Sequence, residues 1–233
     1  MAWVWAVWAL AGEPGAGTAV ATPSGVVATD AASAGIATPT GFSATHRPLT
    51  EEEQAAMVGV SWHEGCPVAL ADLERLDLMI HTVDGAATTG TLVVNRSAVA
   101  ALTTVFSALW DAGFPVARME PVESFGGSDD TSMAANNTSA FNCRNVPGGA
   151  TVSQHAYGLA VDVNPLWNPY VTRRGAKTLV LPPTGTPWLD RLPGPGVILD
   201  DGPVVRAFAA VGWRWGGRWR SSKDYQHFSQ NGR

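Results

Sequence analysis

"SQHAYGLAVDVNP", residues 153–165, combines the alternation of a strand with two side chains that bind metals. Leucine and valine alternate over residues 158–163, which predicts a strand whose apolar side chains face the core. Asp162 then lies on the opposite, accessible face of the strand. Gly158 allows the chain to turn, so that the imidazole of His155 returns over that face. A carboxylate and an imidazole that share one face are two ligands of a zinc site.

A candidate third ligand lies near the end of the chain, in "KDYQHFS", residues 223–229. His227 follows Asp224 by three positions, and such side chains share a face of a helical turn or converge in an irregular one. A catalytic zinc takes three protein ligands, here His155, Asp162 and His227, and keeps one position open. A separate carboxylate must accept the proton of the attacking water, and we expect Asp224 to do so.

The other three histidines have no such neighbours in the sequence. A lone histidine is usually a surface residue or a core residue with satisfied hydrogen bonds, and we interpret His46, His63 and His81 in that way. His81 follows an apolar stretch, and we expect it to cap that turn.

The composition predicts a loop-rich domain. The chain has 233 residues with 25 glycines, 16 prolines and only 15% charged residues, which suits such a domain better than a helical bundle. The order of elements predicts an α+β fold with a small, mostly antiparallel sheet, flanking helices and long loops. A helix is predicted to begin at Thr50, with Glu53 as its capping-box partner. Further helices are predicted over 70–77, 98–112 and 204–211, strands over 90–95, 115–122 and from 212–217, and loops over 126–150 and 164–203.

Two segments precede the predicted domain of residues 50–233. Residues 1–12 carry the apolar run "AWVWAVWALAG", which is too short to span a bilayer and is similar to the core of a secretion signal without its positive start. We interpret it as a remnant of such a signal or as an apolar tail. Residues 13–49 are mostly small and predict a disordered linker. Export would place the protein outside the cytoplasm, with membrane contact only through residues 1–12.

The two cysteines, Cys66 and Cys143, are either separate thiols or one disulfide. A bond between them would close a loop of about 77 residues and stabilise the fold by roughly 4 kcal/mol in the chain-entropy model. Export favours the bond, because disulfides persist in oxidising compartments. Neither cysteine lies in a CxxC pair, which disfavours a cysteine-based metal site.

The motifs "SxHxxGxAxD" and "WGGxWxxxxDxxHF" together resemble those of the zinc D-Ala-D-Ala carboxypeptidase and L-Ala-D-Glu peptidase family. This family shares its fold with lysostaphin-type peptidases and the hedgehog signalling domain. The resemblance covers roughly residues 60–230, including "GCPV" at 65–68 and "TSAFNCR" at 138–144. It implies that one Zn²⁺ is held by His155, Asp162 and His227, with Asp224 as the catalytic carboxylate.

The resemblance also implies the reaction, which is amide hydrolysis in the stem peptides of bacterial peptidoglycan. Many members have glutamate at the catalytic position, whereas aspartate, as at Asp224, is frequent in the L-Ala-D-Glu-cleaving branch and its phage endolysin relatives. Ser229 departs from the acidic or aromatic residue that usually follows His-Phe. Whether the terminal D-Ala is removed or the L-Ala–D-Glu bond is cut stays open on the sequence.

The stem peptides carry carboxylates, so the resemblance implies an arginine near the metal. A guanidinium holds a carboxylate through two parallel hydrogen bonds. Arg144 is the first candidate, with Ser139 as a second substrate contact and Arg118 in reserve. Tyr157 is either a donor to the oxyanion of the transition state or a core residue.

Two other functions compete with a peptidase. A zinc-containing, catalytically silent cell-wall binding module would keep the metal ligands but would have no need of Asp224. A wall-anchoring protein would bind glycans through some of its ten tryptophans, and chelators would not affect that binding. Residues 213–220 interleave arginine and tryptophan as single-strand nucleic-acid grooves do, but the net charge of −5 argues against a nucleic-acid partner. We expect a monomer.

Overall fold

The computed structural model describes residues 41–146, 149–175 and 177–233. In this part of the chain, none of the helices has the length and apolar character that a membrane span requires. The predicted apolar segment, 1–12, lies outside the described residues, as does most of the predicted linker. The last part of that linker is a strand, β1 (Ala44–Pro48), so the linker prediction is wrong for these residues. Their pairing with a neighbouring strand outweighs their polar composition.

The first half of the described chain forms a three-stranded antiparallel sheet with two helices. Strand β1 pairs with β2 (Leu73–His81), which pairs in turn with β3 (Ala87–Asn95). Helix α1 (Glu51–Met57) follows β1, and helix α2 (Val99–Asp111) follows β3. The sequence predictions of a strand over 90–95 and a helix over 98–112 are therefore confirmed.

Helix α1 begins as the sequence predicts. The side chain of Thr50 accepts a hydrogen bond from the backbone N–H of Glu53 at 3.2 Å. The Glu53 carboxylate in turn accepts one from the backbone N–H of Thr50 at 2.8 Å. This capping box satisfies two N–H groups at the start of the helix.

The predicted helix over 70–77 is wrong. Only Leu70–Asp72 forms a short 3₁₀ turn, and strand β2 begins at the next residue. Leu73 and Leu76 are three residues apart, which imitates helical spacing, but Leu76, Leu78 and Ile80 alternate as in a strand. Pairing with β3 along all nine residues of β2 decides for the strand.

The second half consists of short strands joined by turns. In chain order it contains β4 (Arg118–Met119), α3 (Asp129–Ala134), β5 (Asn137–Thr138), β6 (Ala160–Asp162), β7 (Tyr170–Arg174), β8 (Lys177–Leu181), α4 (Pro203–Ala210), β9 (Arg214–Trp215), β10 (Ser222–Asp224) and β11 (His227–Ser229). Strands β6, β11 and β9 form one antiparallel sheet, β10, β7 and β8 form another, and β4 pairs with β5 in parallel. The predicted α+β class with mostly antiparallel pairing is confirmed, although the strands are divided among four small sheets.

Two predicted loops contain regular structure, so those predictions are wrong in part. The loop over 126–150 contains α3, whose first turn is capped by the Ser128 side chain, and β5. The loop over 164–203 contains the β7–β8 hairpin, whose pairing is antiparallel along both strands. Of the predicted strand over 115–122, only β4 (Arg118–Met119) is a strand, because only these two residues pair with β5. These strands form through backbone pairing with other segments, and the local composition on which the loop predictions relied does not reveal such pairing.

The main core lies between α2, α4 and the strands that carry the C-terminal motif. The buried face of α2 comprises Val99, Leu102, Val105, Phe106 and Leu109. Phe208 of α4 stacks on Phe228 of β11, with the ring centroids 4.0 Å apart. Phe228 has no exposed surface, so the core fixes the strand on which its neighbour His227 lies.

A smaller apolar cluster lies beneath the disulfide. Cys66 and Cys143 are bonded, with their Cα atoms 6.0 Å apart and 77 positions between them in the sequence. This confirms the disulfide among the two alternatives for the cysteines. The cluster that packs with Cys143 comprises Leu49, Met57, Val68, Leu73, Val93 and Phe141.

Candidate metal centre

Strand register brings two of the predicted ligands together. In the antiparallel pair of β6 and β11, Asp162 lies opposite His227, and Val161 lies opposite Phe228. Directly opposed residues project to the same side of a sheet, so the carboxylate and the imidazole meet. The predicted open face is wrong, because Asp162 is only 5% exposed and Ala160 is fully buried. Other parts of the chain cover this face and convert it into the floor of a cavity.

A tight turn positions the remaining predicted ligand, His155. His155 lies in a 3₁₀ turn over Gln154–Tyr157, which Ser153 caps by accepting a hydrogen bond from the His155 N–H. The turn ends at Gly158, whose φ is +67°. A Cβ at this position would lie 2.5 Å from the backbone nitrogen of Asn95, so only glycine fits. This confirms the sequence interpretation of Gly158 as the residue that lets the histidine return over the strand.

The three side chains converge to within hydrogen-bond distance of one another. His227 Nδ1 lies 3.0 Å from Asp162 Oδ1, and His155 Nε2 lies 3.2 Å from Asp162 Oδ2. The two imidazoles approach to 3.2 Å, between His155 Nε2 and His227 Nδ1. Each of the three residues is 5% exposed or less.

The ring nitrogens that point away from Asp162 determine the tautomer of each histidine, and so whether the nitrogens that face Asp162 carry a lone pair. His155 Nδ1 lies 2.6 Å from the carbonyl oxygen of Ala140, and His227 Nε2 lies 3.1 Å from the backbone oxygen of Arg233. A carbonyl oxygen only accepts hydrogen bonds, so these ring nitrogens are the donors. In neutral imidazoles the inner nitrogens then carry lone pairs and face the Asp162 carboxylate. Three acceptors at such distances form a group that can hold a cation, and two imidazoles with one carboxylate suit Zn²⁺.

The charges inside the cluster support the same conclusion. Burial alone would raise the pKa of Asp162, but His155 and His227 outweigh it and hold that pKa well below its ordinary value. Burial likewise opposes charge on His155, but the Asp162 carboxylate raises the net pKa of the imidazole. The site therefore favours an ionised carboxylate and attracts positive charge.

Asp224 lies at the edge of the same cavity, at the end of β10. Its Oδ1 atom is enclosed and has no hydrogen-bond partner among the described residues. Burial raises the pKa of this carboxyl to about 7, although His227 opposes the shift. Gly216 approaches so closely that a Cβ there would lie 2.8 Å from the Cβ of Asp224. An enclosed carboxyl that lacks a partner is available to exchange a proton with a bound molecule.

The metal cluster and Asp224 open into one cavity with a volume of about 460 Å³. A volume of this size accommodates a short peptide or a small ligand. Apolar and polar side chains alternate on its walls, among them Met133, Gln154, Tyr170, Leu181, Trp219 and Gln226.

Arg144 and Tyr157 line this cavity, as predicted for substrate contacts. Arg144 Nη2 forms an ion pair with Asp129 Oδ2 at 2.7 Å, and its Nε is buried without a hydrogen-bond partner among the described residues. Ser139 is not among the described residues that line the cavity. Its backbone exchanges two hydrogen bonds with Asp162, at 2.9 and 3.1 Å, and so it supports a ligand rather than facing the cavity. The reserve candidate, Arg118, is exposed on β4 and pairs with Glu120 at 3.4 Å, away from the cavity.

The interleaved arginines and tryptophans of residues 213–220 divide between surface and core. Trp213 and Trp215 are buried in the main core, whereas Arg214, Arg218 and Arg220 are exposed. Trp219 lies beside the metal cluster, with its ring centroid 5.4 Å from that of His227. The interleaving is therefore not a continuous binding groove.

The three remaining histidines are not among the residues that line this cavity. His46 pairs with Glu74 at 2.6 Å on the surface. The expectation that His81 caps a turn is wrong, because His81 ends strand β2 and stacks on Trp110 with centroids 3.9 Å apart. His63 lies beside the disulfide, with Nε2 3.5 Å from Cys143 Sγ.

The sequence interpretation missed Asp129, the partner of Arg144. It follows Ser128 in "GSDDTS", and serine before two acidic residues is a helix-start signal that marks α3. That signal predicts the helix, but the pairing of Asp129 with Arg144 depends on the tertiary fold.

Comparison with known proteins agrees with this geometry. Residues 147–230 match a family model described as D-alanyl-D-alanine carboxypeptidase, and the matched segment contains His155, Asp162, Asp224 and His227. No curated protein and no solved structure matches the chain. The match supports a metallopeptidase, and it confirms the resemblance on which the sequence interpretation relied over residues 147–230. The segment that contains the whole metal cluster is thus similar to the D-alanyl-D-alanine carboxypeptidase family, whose members are zinc peptidases.

Proposed function

We propose that the protein is a zinc-dependent peptidase that hydrolyses the stem peptides of bacterial peptidoglycan. In this proposal His155, Asp162 and His227 hold one Zn²⁺, and Asp224 is the catalytic carboxylate. One observation carries the proposal: Asp224, whose enclosed Oδ1 lacks a partner among the described residues, lines the same cavity as three converging acceptors. A site that only bound metal would not require the fourth residue.

The chemistry divides between the cation and the protein. A bound Zn²⁺ supplies Lewis acidity, which activates water near neutral pH and polarises the scissile carbonyl. Asp224 accepts the proton of the attacking water and returns it to the leaving amine. The pKa of about 7 applies to the site without a cation, and a nearby positive charge lowers it. Metal binding therefore favours the ionised Asp224 that proton transfer requires.

The cavity walls suit a peptide that carries carboxylates. Arg144 presents its guanidinium at the wall, held by Asp129, and is positioned to bind a substrate carboxylate. Tyr157 lines the same wall and is a candidate donor to the developing oxyanion. Met133 and Leu181 offer apolar surface for alanine methyl groups. We infer that the enzyme acts outside the cytoplasm, where peptidoglycan lies and where the Cys66–Cys143 bond is stable.

Mass spectrometry of stem peptides tests the proposal. Peptides ending in D-Ala-D-Ala and peptides containing the L-Ala–D-Glu bond are incubated with zinc-loaded protein and with a chelated control. A zinc-dependent product establishes the peptidase, and its mass identifies the cleaved bond. Lack of a product from every stem type, while zinc stays bound, would reject the peptidase in favour of a silent zinc-containing wall module.

Substitution of Asp224 separates the peptidase from the silent module more directly. Asp224→Asn keeps the shape of the side chain but cannot accept the proton, and Asp224→Ala removes the group. Both variants should retain zinc and lose roughly 10²- to 10⁴-fold in kcat. Zinc content measured by atomic emission, together with turnover, checks both statements. Full activity in the alanine variant would show that Asp224 does not have the proposed role.

A further inference from the structure

A second group of metal-binding side chains surrounds the disulfide. His63, Cys66 and Cys143 each place one ligand atom within 4.8 Å of the others. In the structure the two sulfurs are bonded to each other, so neither offers a free thiolate. The group lies at the surface, whereas the catalytic cluster is buried.

The local backbone resembles the turns that present sulfur ligands to metals. The N–H of Cys66 donates to the carbonyl of His63 at 3.1 Å, which closes a tight turn. Gly65 lies inside this turn with φ of +93°, a conformation that favours glycine. The N–H of His63 points back and lies 3.2 Å from Cys66 Sγ. A backbone N–H directed at a sulfur stabilises the thiolate form, which is the form that binds metals.

The imidazole of His63 provides the third ligand. His63 Nε2 lies 3.5 Å from Cys143 Sγ, and the ring is exposed. The absence of a CxxC pair disfavoured a cysteine-based site on the sequence. The spacing of His63 and Cys66, with two residues between them, supplies a histidine in place of the missing cysteine.

We propose that His63, Cys66 and Cys143 bind one soft divalent cation, such as Zn²⁺, whenever the disulfide is reduced. Two molecules of a thiol RSH reduce the bond to two cysteine thiols and leave as the disulfide RS–SR. Binding of the cation then releases the two thiol protons, and the fourth position of a tetrahedral site remains for water. The same three residues therefore hold either a covalent bond or a metal ion.

The backbone permits both states. Zinc–sulfur bonds of about 2.3 Å in a tetrahedral site separate the two sulfurs by roughly 3.8 Å. Cα atoms 6.0 Å apart allow this separation through rotation of the cysteine side chains alone. The exposed His63 ring already directs Nε2 at Cys143 Sγ, while its Nδ1 lies 2.9 Å from the carbonyl oxygen of Glu64.

The consequence concerns the active-site wall. Next to Cys143 lies Arg144, which lines the catalytic cavity, and on the other side the N–H of Asn142 donates to the carbonyl of His155 at 3.2 Å. Cys143 itself donates its N–H to the carbonyl of Ser61 at 2.8 Å. A metal ion in place of the disulfide keeps this segment attached to the turn that carries His63.

Cobalt absorption tests the proposal. The full chain is reduced with dithiothreitol, separated from it by anaerobic gel filtration, and titrated with Co²⁺. Thiolate-to-cobalt charge-transfer absorption in the near ultraviolet requires a sulfur ligand, and the His155–Asp162–His227 cluster has none. We expect this absorption in the reduced protein, saturating by two equivalents because the His155–Asp162–His227 cluster also takes up cobalt, and not in the oxidised protein.

Variants establish which residues bind. Cys66→Ser should abolish the absorption, and His63→Ala should weaken cobalt binding at least ~10-fold. His46→Ala, an exposed histidine outside both clusters, should leave cobalt binding unchanged. Near-ultraviolet circular dichroism of the tryptophans, recorded on each sample, shows whether the reduced chain stays folded.

Three results would overturn the proposal. The first is a folded, reduced protein without the absorption, and the second is unchanged affinity in His63→Ala. The third is a reduced chain that is unfolded both with and without cobalt. In that case any thiolate absorption would come from cysteines of an unfolded chain and not from a site that the fold assembles. Any of these would leave the cysteines with a purely covalent role.

Discussion

The two histidine-containing clusters differ in what holds them. In the cluster of His155, Asp162 and His227, the last two residues lie on paired strands and His155 lies in a 3₁₀ turn. All three are buried, the His155 ring is oriented by a carbonyl oxygen, and the core fixes the strand of His227 through Phe228. The cluster of His63, Cys66 and Cys143 lies on irregular segments at the surface and is joined by a covalent bond. Buried ligands on strands are preorganised for a metal, whereas surface ligands depend on their chemical state.

The largest effect expected from this comparison comes from the buried cluster. His227→Ala removes one of three ligands from a site that cannot rearrange, so both zinc and peptidase activity should fall below detection. His46→Ala should retain both, since His46 is exposed, pairs with Glu74 and lies outside the metal cluster. Zinc stoichiometry and stem-peptide turnover measure the two quantities. Zinc bound one-to-one in His227→Ala would contradict the assignment of this ligand.

The second effect tests the covalent bond of the surface cluster. Replacing both cysteines, Cys66→Ser with Cys143→Ser, should lower the free energy of unfolding by about 4 kcal/mol, because the unfolded chain loses its cross-link. Denaturant unfolding of the variant and the oxidised parent measures the difference. The zinc content of the catalytic cluster should not change. A fall in zinc content without loss of stability would reverse the roles given to the two clusters.

A smaller effect tests how tightly the buried site is packed. In Gly216→Ala the new methyl group would lie 2.8 Å from Asp224 Cβ and 3.3 Å from His227 Cβ, so the carboxylate must move. We expect kcat to fall roughly 10- to 100-fold, as small misplacements of catalytic groups do. Gly194→Ala is the matched control, because its Cβ makes an ordinary contact 3.7 Å from Val197 Cγ2. Equal kcat in both variants would show that Asp224 has room to adjust.

The smallest effect concerns an ion pair that lies outside both clusters and contributes only to the stability of the fold. The ion pair with Arg47 lowers the pKa of Glu53 to about 2, so Glu53 stabilises the fold above its unfolded pKa of 4.5 and loses this contribution as the pH falls toward 2. Glu53→Gln should therefore destabilise the protein at pH 7 by less than about 1 kcal/mol, since the pair is near the surface. The difference from the parent should disappear near pH 2. Urea unfolding at both pH values checks the sign.

The sequence predicted those parts that local pattern and motif determine. Apolar spacing predicted α2, and the capping box at Thr50 predicted α1. The residues proposed as metal ligands are grouped together in the structure because the strand of Asp162 pairs with the strand of His227 and directly follows the turn that carries His155. The two helices depend on local sequence alone, and the ligand group depends on one strand pair and the turn that precedes it.

What the sequence did not predict depends on distant contacts. The β7–β8 hairpin lies in a stretch rich in proline and glycine, and only its pairing partners reveal it. Asp162 was expected on an open face, because nothing in its own strand shows that other segments enclose it. The pairing of Arg144 with Asp129 likewise joins two loops whose proximity no local pattern encodes.

The span of the disulfide has a consequence for proteolysis. The exposed turn between β2 and β3, residues 82–86, lies inside the 77-residue interval that the bond closes, and exposed turns are common sites of cleavage. A single cut there leaves the two fragments covalently attached, with β2 still paired to β3 and the residues that line the cavity of the metal cluster on one fragment. A nicked molecule therefore keeps the residues of this cavity together for as long as Cys66 and Cys143 stay oxidised.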